Sequence, residues 1–163
     1  MGPTYSSEQP EFHVGIDLSL RGTGMLLLNE KYEIIEQELI STNAKQDTEE
    51  RILEIADKLS FIKNIKNLKT LSIEGLAFGA RGQRMLELAA LHYYIRIMFY
   101  DEKIPFKVIP PTVIKKYLTG KGNSKKDLML MKAYKKWGVE FEDDNLCDAY
   151  CLARYAISQL EEK

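Results

Sequence analysis

The hydrophobic period of this sequence first changes near residue 47, and that change restricts the fold the chain can adopt. Before it, three short β-favouring runs at 12–18, 25–28 and 33–40 are separated by turn-forming residues, which predicts a meander of two hairpins. After it, apolar residues recur at helical spacing over 48–65. Hairpins followed by an alternation of helices and strands indicate a mixed sheet with helices packed on its faces.

The second half of the chain adds two strands and four helices to this pattern. They are predicted as strands at 70–74 and 106–109 and as helices at 82–100, 112–118, 125–137 and 144–160. The fold class is therefore α/β, with a five-stranded mixed sheet in which three antiparallel strands precede the parallel ones. One sheet face would leave part of the strongly apolar helix 82–100 uncovered, so it is either a dimer interface or a core helix.

Composition limits the number of domains and the kinds of partner. With 163 residues, 45% of them apolar, the chain can bury one sizeable core, and we expect a single domain at 12–163 after a disordered tail at 1–11. Lys and Arg total 23 against 24 Asp and Glu, so any case for a polyanionic partner depends on local clustering. No run fits a membrane span or a signal peptide, which favours a soluble, cytoplasmic protein. Cys147 and Cys151 lie one helical turn apart, as core residues rather than a disulfide or zinc site.

Four acidic residues stand in apolar surroundings where charge is costly. Asp17 lies in the apolar first strand, Glu74 ends the strand at 70–74, and Asp144 and Asp148 lie four residues apart at the start of the last helix, on one face. Carboxylates brought together in this way suit two Mg²⁺ ions, with Mn²⁺ as a substitute. The alternatives are a hydrogen-bonded structural role for Asp17 and helix capping by Asp143 or Asp144.

Basic residues are concentrated in one segment. Between residues 113 and 136 there are eight lysines and one acid, a local excess that suits contacts with DNA phosphates, although a solvated helix face is the alternative. Arg81 and Arg84 form a smaller cluster beside Phe78, which suits either stacking on a base or packing. The candidate DNA-contacting residues are Phe78, Arg81, Arg84, Lys115, Lys116, Lys121, Lys125 and Lys126.

Five blocks of the sequence, in order, resemble those of RuvC-type Holliday-junction resolvases, which have a ribonuclease H-like fold. The blocks are VGIDLS at 14–19 with Thr23-Gly24, IEGLAFG at 73–79, IPPTVIKKY at 109–117, GKGNSKK at 120–126 and DNLCDAY at 144–150. The first block alone is weak, because actin-like and Hsp70-like ATPases share it. Leu18-Ser19 replaces the Pro-Gly common in bacterial members, which suggests a divergent branch, such as a viral or organellar one.

The resemblance implies a metal-dependent homodimeric endonuclease of DNA recombination and repair that nicks two opposed strands of a four-way junction. Asp17, Glu74 and Asp148 match three of its four acidic positions, and the fourth falls among Asp143, Asp144 and Asn145, of which Asp144 is the choice that keeps one helix face. Phe78 looks like the aromatic residue that stacks at the crossover. The predicted dimer contacts on the helix 82–100 are Met85, Leu88, Ala89 and His92.

Three other functions compete with this interpretation. A non-catalytic binder of branched DNA would keep the fold without the chemistry, and a ribonuclease H would cleave RNA–DNA hybrids instead. An actin-like or Hsp70-like ATP-binding module would need a second Gly-rich phosphate loop and a longer chain. The sequence specifies neither a cleavage sequence nor a helicase partner.

Overall fold

A computed structural model describes residues 9–77 and 81–163 of the chain. Its five strands are β1 (Phe12–Asp17), β2 (Thr23–Asn29), β3 (Ile34–Ile40), β4 (Leu68–Glu74) and β5 (Lys107–Ile109). They form one sheet in the order β3-β2-β1-β4-β5, antiparallel from β3 to β1 and parallel from β1 to β5. The predicted mixed sheet is confirmed.

Five α-helices of the described ranges pack around the sheet. They are α1 (Thr48–Leu59), α2 (Gln83–Asp101), α3 (Pro111–Thr119), α4 (Lys126–Trp137) and α5 (Asp144–Glu161). The predicted helix over 48–65 is shorter than expected, because its last turn is a 3₁₀ helix over Ser60–Asn64. None of the helices in the described ranges is long and apolar enough to cross a membrane.

The two faces of the sheet carry separate cores. Apolar side chains of β1, β2 and β4, such as Ile16 and Ile73, pack with α1 and α2 on one face. Leu26 and Leu28 of β2 pack against α5 on the other. A third cluster joins α3 and α4 to α5 and includes Cys147 and Cys151, which are buried free thiols. Helix α5 is thus held both by the sheet and by two shorter helices.

Two glycines let the backbone of α5 lie directly against the sheet. A Cβ at Gly15 in β1 would overlap the carbonyl oxygen of Ala149, and a Cβ at Gly24 in β2 would overlap that of Asn145. Backbone atoms cannot move aside as the end of a side chain can, so α5 would have to shift. Glycine at these positions therefore fixes how close the first turns of α5 come to the ends of β1 and β2.

The substitution Gly15→Ala should lower the free energy of unfolding by about 3 kcal/mol, because the added methyl group meets fixed backbone. Gly75→Ala is the matched control: its Cβ would meet first the side chain of Val108, at 3.3 Å. That side chain can give way, and we expect a loss of less than about 1 kcal/mol. Urea unfolding of both variants checks this, and equal losses would contradict the tight seating of α5 on β1.

Candidate metal centre

Three carboxylates meet where two parallel strands end. Asp17 is the last residue of β1 and Glu74 the last residue of β4, and these strands are parallel neighbours with Ile16 beside Ile73. Their side chains therefore reach the same edge of the sheet. Asp148 comes from the second turn of α5, which lies against this edge because Gly15 permits it. One carboxylate oxygen from each of the three acids lies within 4.8 Å of the other two.

The cluster is too crowded and too buried to hold three negative charges unaided. Burial and the neighbouring Glu74 raise the pKa of Asp17 well above its usual range. Burial and the charge of Asp148 raise the pKa of Glu74 to about 8, and burial with the charge of Asp144 raises that of Asp148 to about 6. Such a set must carry protons or a cation. Oxygen ligands converging in this way fit Mg²⁺ or Mn²⁺.

The start of α5 separates the roles of three adjacent residues. Asp143 is the N-cap, and its Oδ1 accepts a hydrogen bond from the backbone N–H of Asn145 at 2.7 Å. The side chain of Asn145 turns to the β1–β2 connection, where Nδ2 donates to the carbonyl oxygen of Gly22 at 2.7 Å. Asp144 lies near the cluster, since its charge contributes to the raised pKa of Asp17, Glu74 and Asp148. Asp143 and Asn145 are thus engaged in hydrogen bonds, and the charges of Asp143 and Asp144 both raise the pKa of Asp148.

Asp144 is paired with a lysine from another helix. Its Oδ2 lies 2.7 Å from Nζ of Lys126, at the start of α4, and the ion pair raises the pKa of this lysine. The exposed fraction is 77% for the Lys126 side chain and 27% for that of Asp144. Lys126 therefore reaches in from solvent, and its ammonium group stands beside the carboxylates where a second cation would also be attracted.

The other predicted DNA-contacting residues differ in their distance from this centre. The charge of Lys115, in α3, acts against the rise in the pKa of both Glu74 and Asp148, so it faces the cluster. The remaining basic candidates are all exposed: Arg81, Arg84, Lys116, Lys121 and Lys125. Phe78 lies outside the described residues. The charges of Lys126 and Lys115 therefore both act on the carboxylates.

Helix α2 turns a different face outward than the sequence predicts. His92, a predicted dimer contact, is only 3% exposed, and burial lowers its pKa to about 4. Leu88 packs at the edge of the same core, and Met85 and Ala89 are half-buried. The exposed large apolar residues of the helix are Leu86, Tyr93, Tyr94, Ile97 and Tyr100.

Comparisons with known proteins agree with this geometry. A family model described as "Crossover junction endodeoxyribonuclease RuvC" matches residues 13–153. A protein of that name from Prochlorococcus marinus is 28% identical over 149 residues, which cover 88% of this chain and 96% of the relative. A structure of Thermus thermophilus RuvC in complex with Holliday junction substrate superposes with a TM-score of 0.75 at 16% identity, covering 91% of this chain and 96% of that one.

A second solved structure shares the fold at greater distance. The yeast mitochondrial Holliday junction resolvase Ydc2 gives a TM-score of 0.61 at 17% identity and covers 91% of this chain and 80% of its own. At these identities the structures establish the ribonuclease H-like fold, and the family model, which spans most of the chain, establishes the kinship. The chain therefore belongs to the RuvC family of crossover junction endodeoxyribonucleases.

Proposed function

We propose that this chain resolves four-way DNA junctions by metal-dependent hydrolysis, nicking two opposed strands and leaving 5′ phosphates. The observation that carries the proposal is the carboxylate cluster of Asp17, Glu74 and Asp148, whose oxygens converge within 4.8 Å at the open edge of the sheet. Membership of the RuvC family supports the substrate, as does the junction bound by the Thermus thermophilus relative of the same fold.

The proposed catalytic set comprises four carboxylates. Asp17, Glu74 and Asp148 would hold one divalent ion between them, and Asp144 would complete the site for a second ion once its carboxylate leaves Lys126. Mg²⁺ or Mn²⁺ bound there supplies Lewis acidity, which lowers the pKa of a bound water and stabilises charge on the departing 3′ oxygen. Asn145 positions this set by tying the start of α5 to the β1–β2 connection.

Lys126 and Lys115 would act on the DNA rather than on the ions. Both bring positive charge from α4 and α3 to the rim of an acidic centre that would otherwise repel a phosphodiester. In the free protein Lys126 is held by Asp144 at 2.7 Å, so a phosphate that draws it away also releases that carboxylate. Lys116, Lys121 and Lys125, which are exposed, would position the DNA backbone without reading sequence.

A homodimer would supply two such centres for the two cleaved strands. The exposed apolar residues of α2 lie on one stripe, since Leu86, Tyr93, Ile97 and Tyr100 follow one another by seven, four and three positions. An isologous dimer buries the same stripe on both subunits. Its twofold axis then matches the approximate twofold symmetry of a four-way junction.

The substitution Asp17→Asn should abolish junction cleavage while leaving junction binding intact. Residues that only support metal ligands contribute about 10- to 100-fold, so loss of a direct ligand should cost more than about 100-fold. Asp143→Asn is the matched control, because Asn caps a helix as well as Asp and the Asp143 carboxylate is engaged by the backbone N–H of Asn145.

The assay uses a labelled four-way junction, a linear duplex and an RNA–DNA hybrid, each with and without Mg²⁺. Paired nicks confined to the junction are expected. Tight junction binding without nicks in any metal would show a non-catalytic binder, and cleavage of the hybrid alone would show a ribonuclease H.

Metal affinity should rise with pH between about 6 and 8, the pKa values of Asp148 and Glu74 in the free protein. An ion must displace their protons, so affinity increases by up to about tenfold per pH unit for each proton released. Binding is measured directly as the loss of the electron paramagnetic resonance signal of free Mn²⁺. The variant Glu74→Gln should show a weaker pH dependence, and a flat profile for the unmodified protein would contradict the protonated cluster.

The same carboxyl groups predict the opposite pH trend for the stability of the metal-free protein. Because their pKa is raised in the folded state, their contribution is present below the ordinary pKa and lost as pH rises through about 6 to 8. The thermal unfolding midpoint without metal should therefore fall from about pH 4, near the ordinary carboxyl pKa, up to about pH 8, and should recover on addition of Mn²⁺. A midpoint that rises with pH in chelator would contradict this assignment.

The substitution Ile97→Glu should convert the dimer into monomers, because it places a charge in the middle of the apolar stripe of α2, at a position 61% exposed in one subunit. Ile35→Glu, at an exposed position of β3 (51%), is the control and should leave the mass unchanged. Sedimentation equilibrium measures both. A dimer that survives Ile97→Glu would place the interface elsewhere.

A further inference from the structure

A second basic site lies beside the carboxylates, on the opposite face of the sheet from the lysines. A cavity of about 320 Å³ opens between the β1–β2 connection, the loop after β3 and the first turns of α1 and α2. Three arginines from three different segments line it: Arg21, Arg51 and Arg84. We call this cavity the arginine pocket.

One of the three guanidinium groups is fixed in place. Nε of Arg51 donates to Oγ1 of Thr42 at 2.8 Å, and Nη2 of Arg51 donates to the carbonyl oxygen of Leu20 at 3.1 Å. The hydroxyl of Thr42 donates in turn to the same carbonyl. Arg51 is therefore set in position before any ligand arrives, and less side-chain freedom is lost on binding. Arg21 and Arg84 are exposed at the rim and free to close over a ligand.

The charge of the pocket is positive and largely uncompensated. Among the described residues, none of the ion pairs involves Arg21, Arg51 or Arg84. Glu87 is the one acidic residue among those described as lining the cavity, where it stands against three guanidinium groups. Converging guanidinium groups form the strongest hydrogen-bonding site that protein side chains offer to a phosphate group, because each presents a planar fork of N–H donors.

The position of the pocket relative to the carboxylates indicates which phosphate of a bound DNA strand it would reach. Ser19, which lines the pocket, is two residues beyond Asp17, and two residues of chain span at most about 7 Å. Lys115 and Lys126 approach the carboxylates from α3 and α4, which pack with α5, whereas the pocket lies on the side of α1 and α2. A DNA strand whose scissile phosphate lies over the carboxylates therefore meets lysines on one side and arginines on the other.

We propose that the arginine pocket binds a backbone phosphate of the cleaved strand, adjacent to the scissile phosphate. The inference rests on the proposed function, since it requires DNA across the carboxylates. Arg21 and Arg84 grip the phosphate from the rim, and Arg51 holds the inner wall of the pocket. The pocket fixes the register of the strand over the metal centre without contacting a base, so its contribution is independent of sequence.

The first test measures binding of a labelled four-way junction by fluorescence anisotropy, with Asp17→Asn in every protein so that no cleavage occurs. Adding Arg21→Gln and Arg84→Gln should weaken binding about tenfold and make the salt dependence shallower by about one unit per phosphate no longer neutralised. The control removes the same charge elsewhere, with Lys66→Gln and Lys103→Gln in exposed turns beyond the opposite end of the sheet. Equal losses of junction affinity in the arginine and lysine double variants would overturn the proposal.

A second variant is expected to increase the affinity for the junction, which misfolding could not explain. Glu87→Gln removes the acid from the pocket and leaves the arginines, so it should tighten junction binding several-fold and steepen the salt dependence. No loss of structure produces tighter binding. Unchanged or weaker binding by Glu87→Gln would count against a phosphate in this cavity.

The second test locates the phosphate by neutralising the DNA instead of the protein. Methylphosphonates are placed one at a time at the phosphates flanking the cleavage site. One position should weaken binding to the Asp17→Asn protein and have no effect once Arg21 and Arg84 are also replaced, because the contact is already lost. Equal effects in both proteins at every position would overturn the proposal. Failure of the proposed function is recognised by a different observation, because the unmodified protein then leaves the junction uncut.

Discussion

The close seating of α5 on the sheet is the contact on which the functional centre depends. Gly15 and Gly24 leave no side chain between the strands and the helix, so the backbone of α5 touches β1 and β2 directly. The hydrogen bond from Asn145 to the carbonyl oxygen of Gly22 fixes the same end of the helix. At this separation Asp148 shares a site with Asp17, and an interposed methyl group would force the helix away from the strand.

That arrangement is unfavourable for the metal-free protein. Three carboxylates held within 4.8 Å in a buried position have raised pKa values, and the folded state stabilises their protonated forms. The apolar cores on both faces of the sheet offset this cost, since they bury large side chains such as Phe99 and Tyr150 completely. The stabilising and functional parts of the molecule are thus separated, because the apolar cores lie along the sheet and the clustered carboxylates lie at its end.

The sequence predicts the fold and three of the acids because their signals are local. Asp17 is conspicuous as a charge in an apolar strand, and the change from strand to helix periodicity gives the order of elements. The choice among Asp143, Asp144 and Asn145 was not accessible in this way, since positions three and four residues before Asp148 lie on the same helical face. The contacts that distinguish the three residues are the local cap by Asp143 and the hydrogen bond from Asn145 to Gly22, and the second of these is made across the fold.

Two other features show the same limit. Helix α2 is apolar on nearly every side, so periodicity could not tell that His92 faces inward and Ile97 outward. Arg51 lies within an ordinary amphipathic helix, and nothing in its neighbourhood along the chain distinguishes it from a surface arginine. Its value to a phosphate arises from Thr42 and Leu20, which the fold brings to it from other segments. Sites assembled from single residues of distant segments leave no periodic trace in a sequence.

The nearly neutral net charge of −1 conceals an ordered distribution of charge. Carboxylates occupy the centre, with cationic side chains of α3 and α4 on one side and the arginine pocket on the other. A phosphodiester approaching the carboxylates directly is repelled unless a cation is already there, whereas the flanking groups attract its neighbours. On the proposed function, a divalent ion held by Asp17, Glu74 and Asp148 would supply that cation for the scissile phosphate. The phosphate that then draws Lys126 from Asp144 couples placement of the DNA to completion of the metal site.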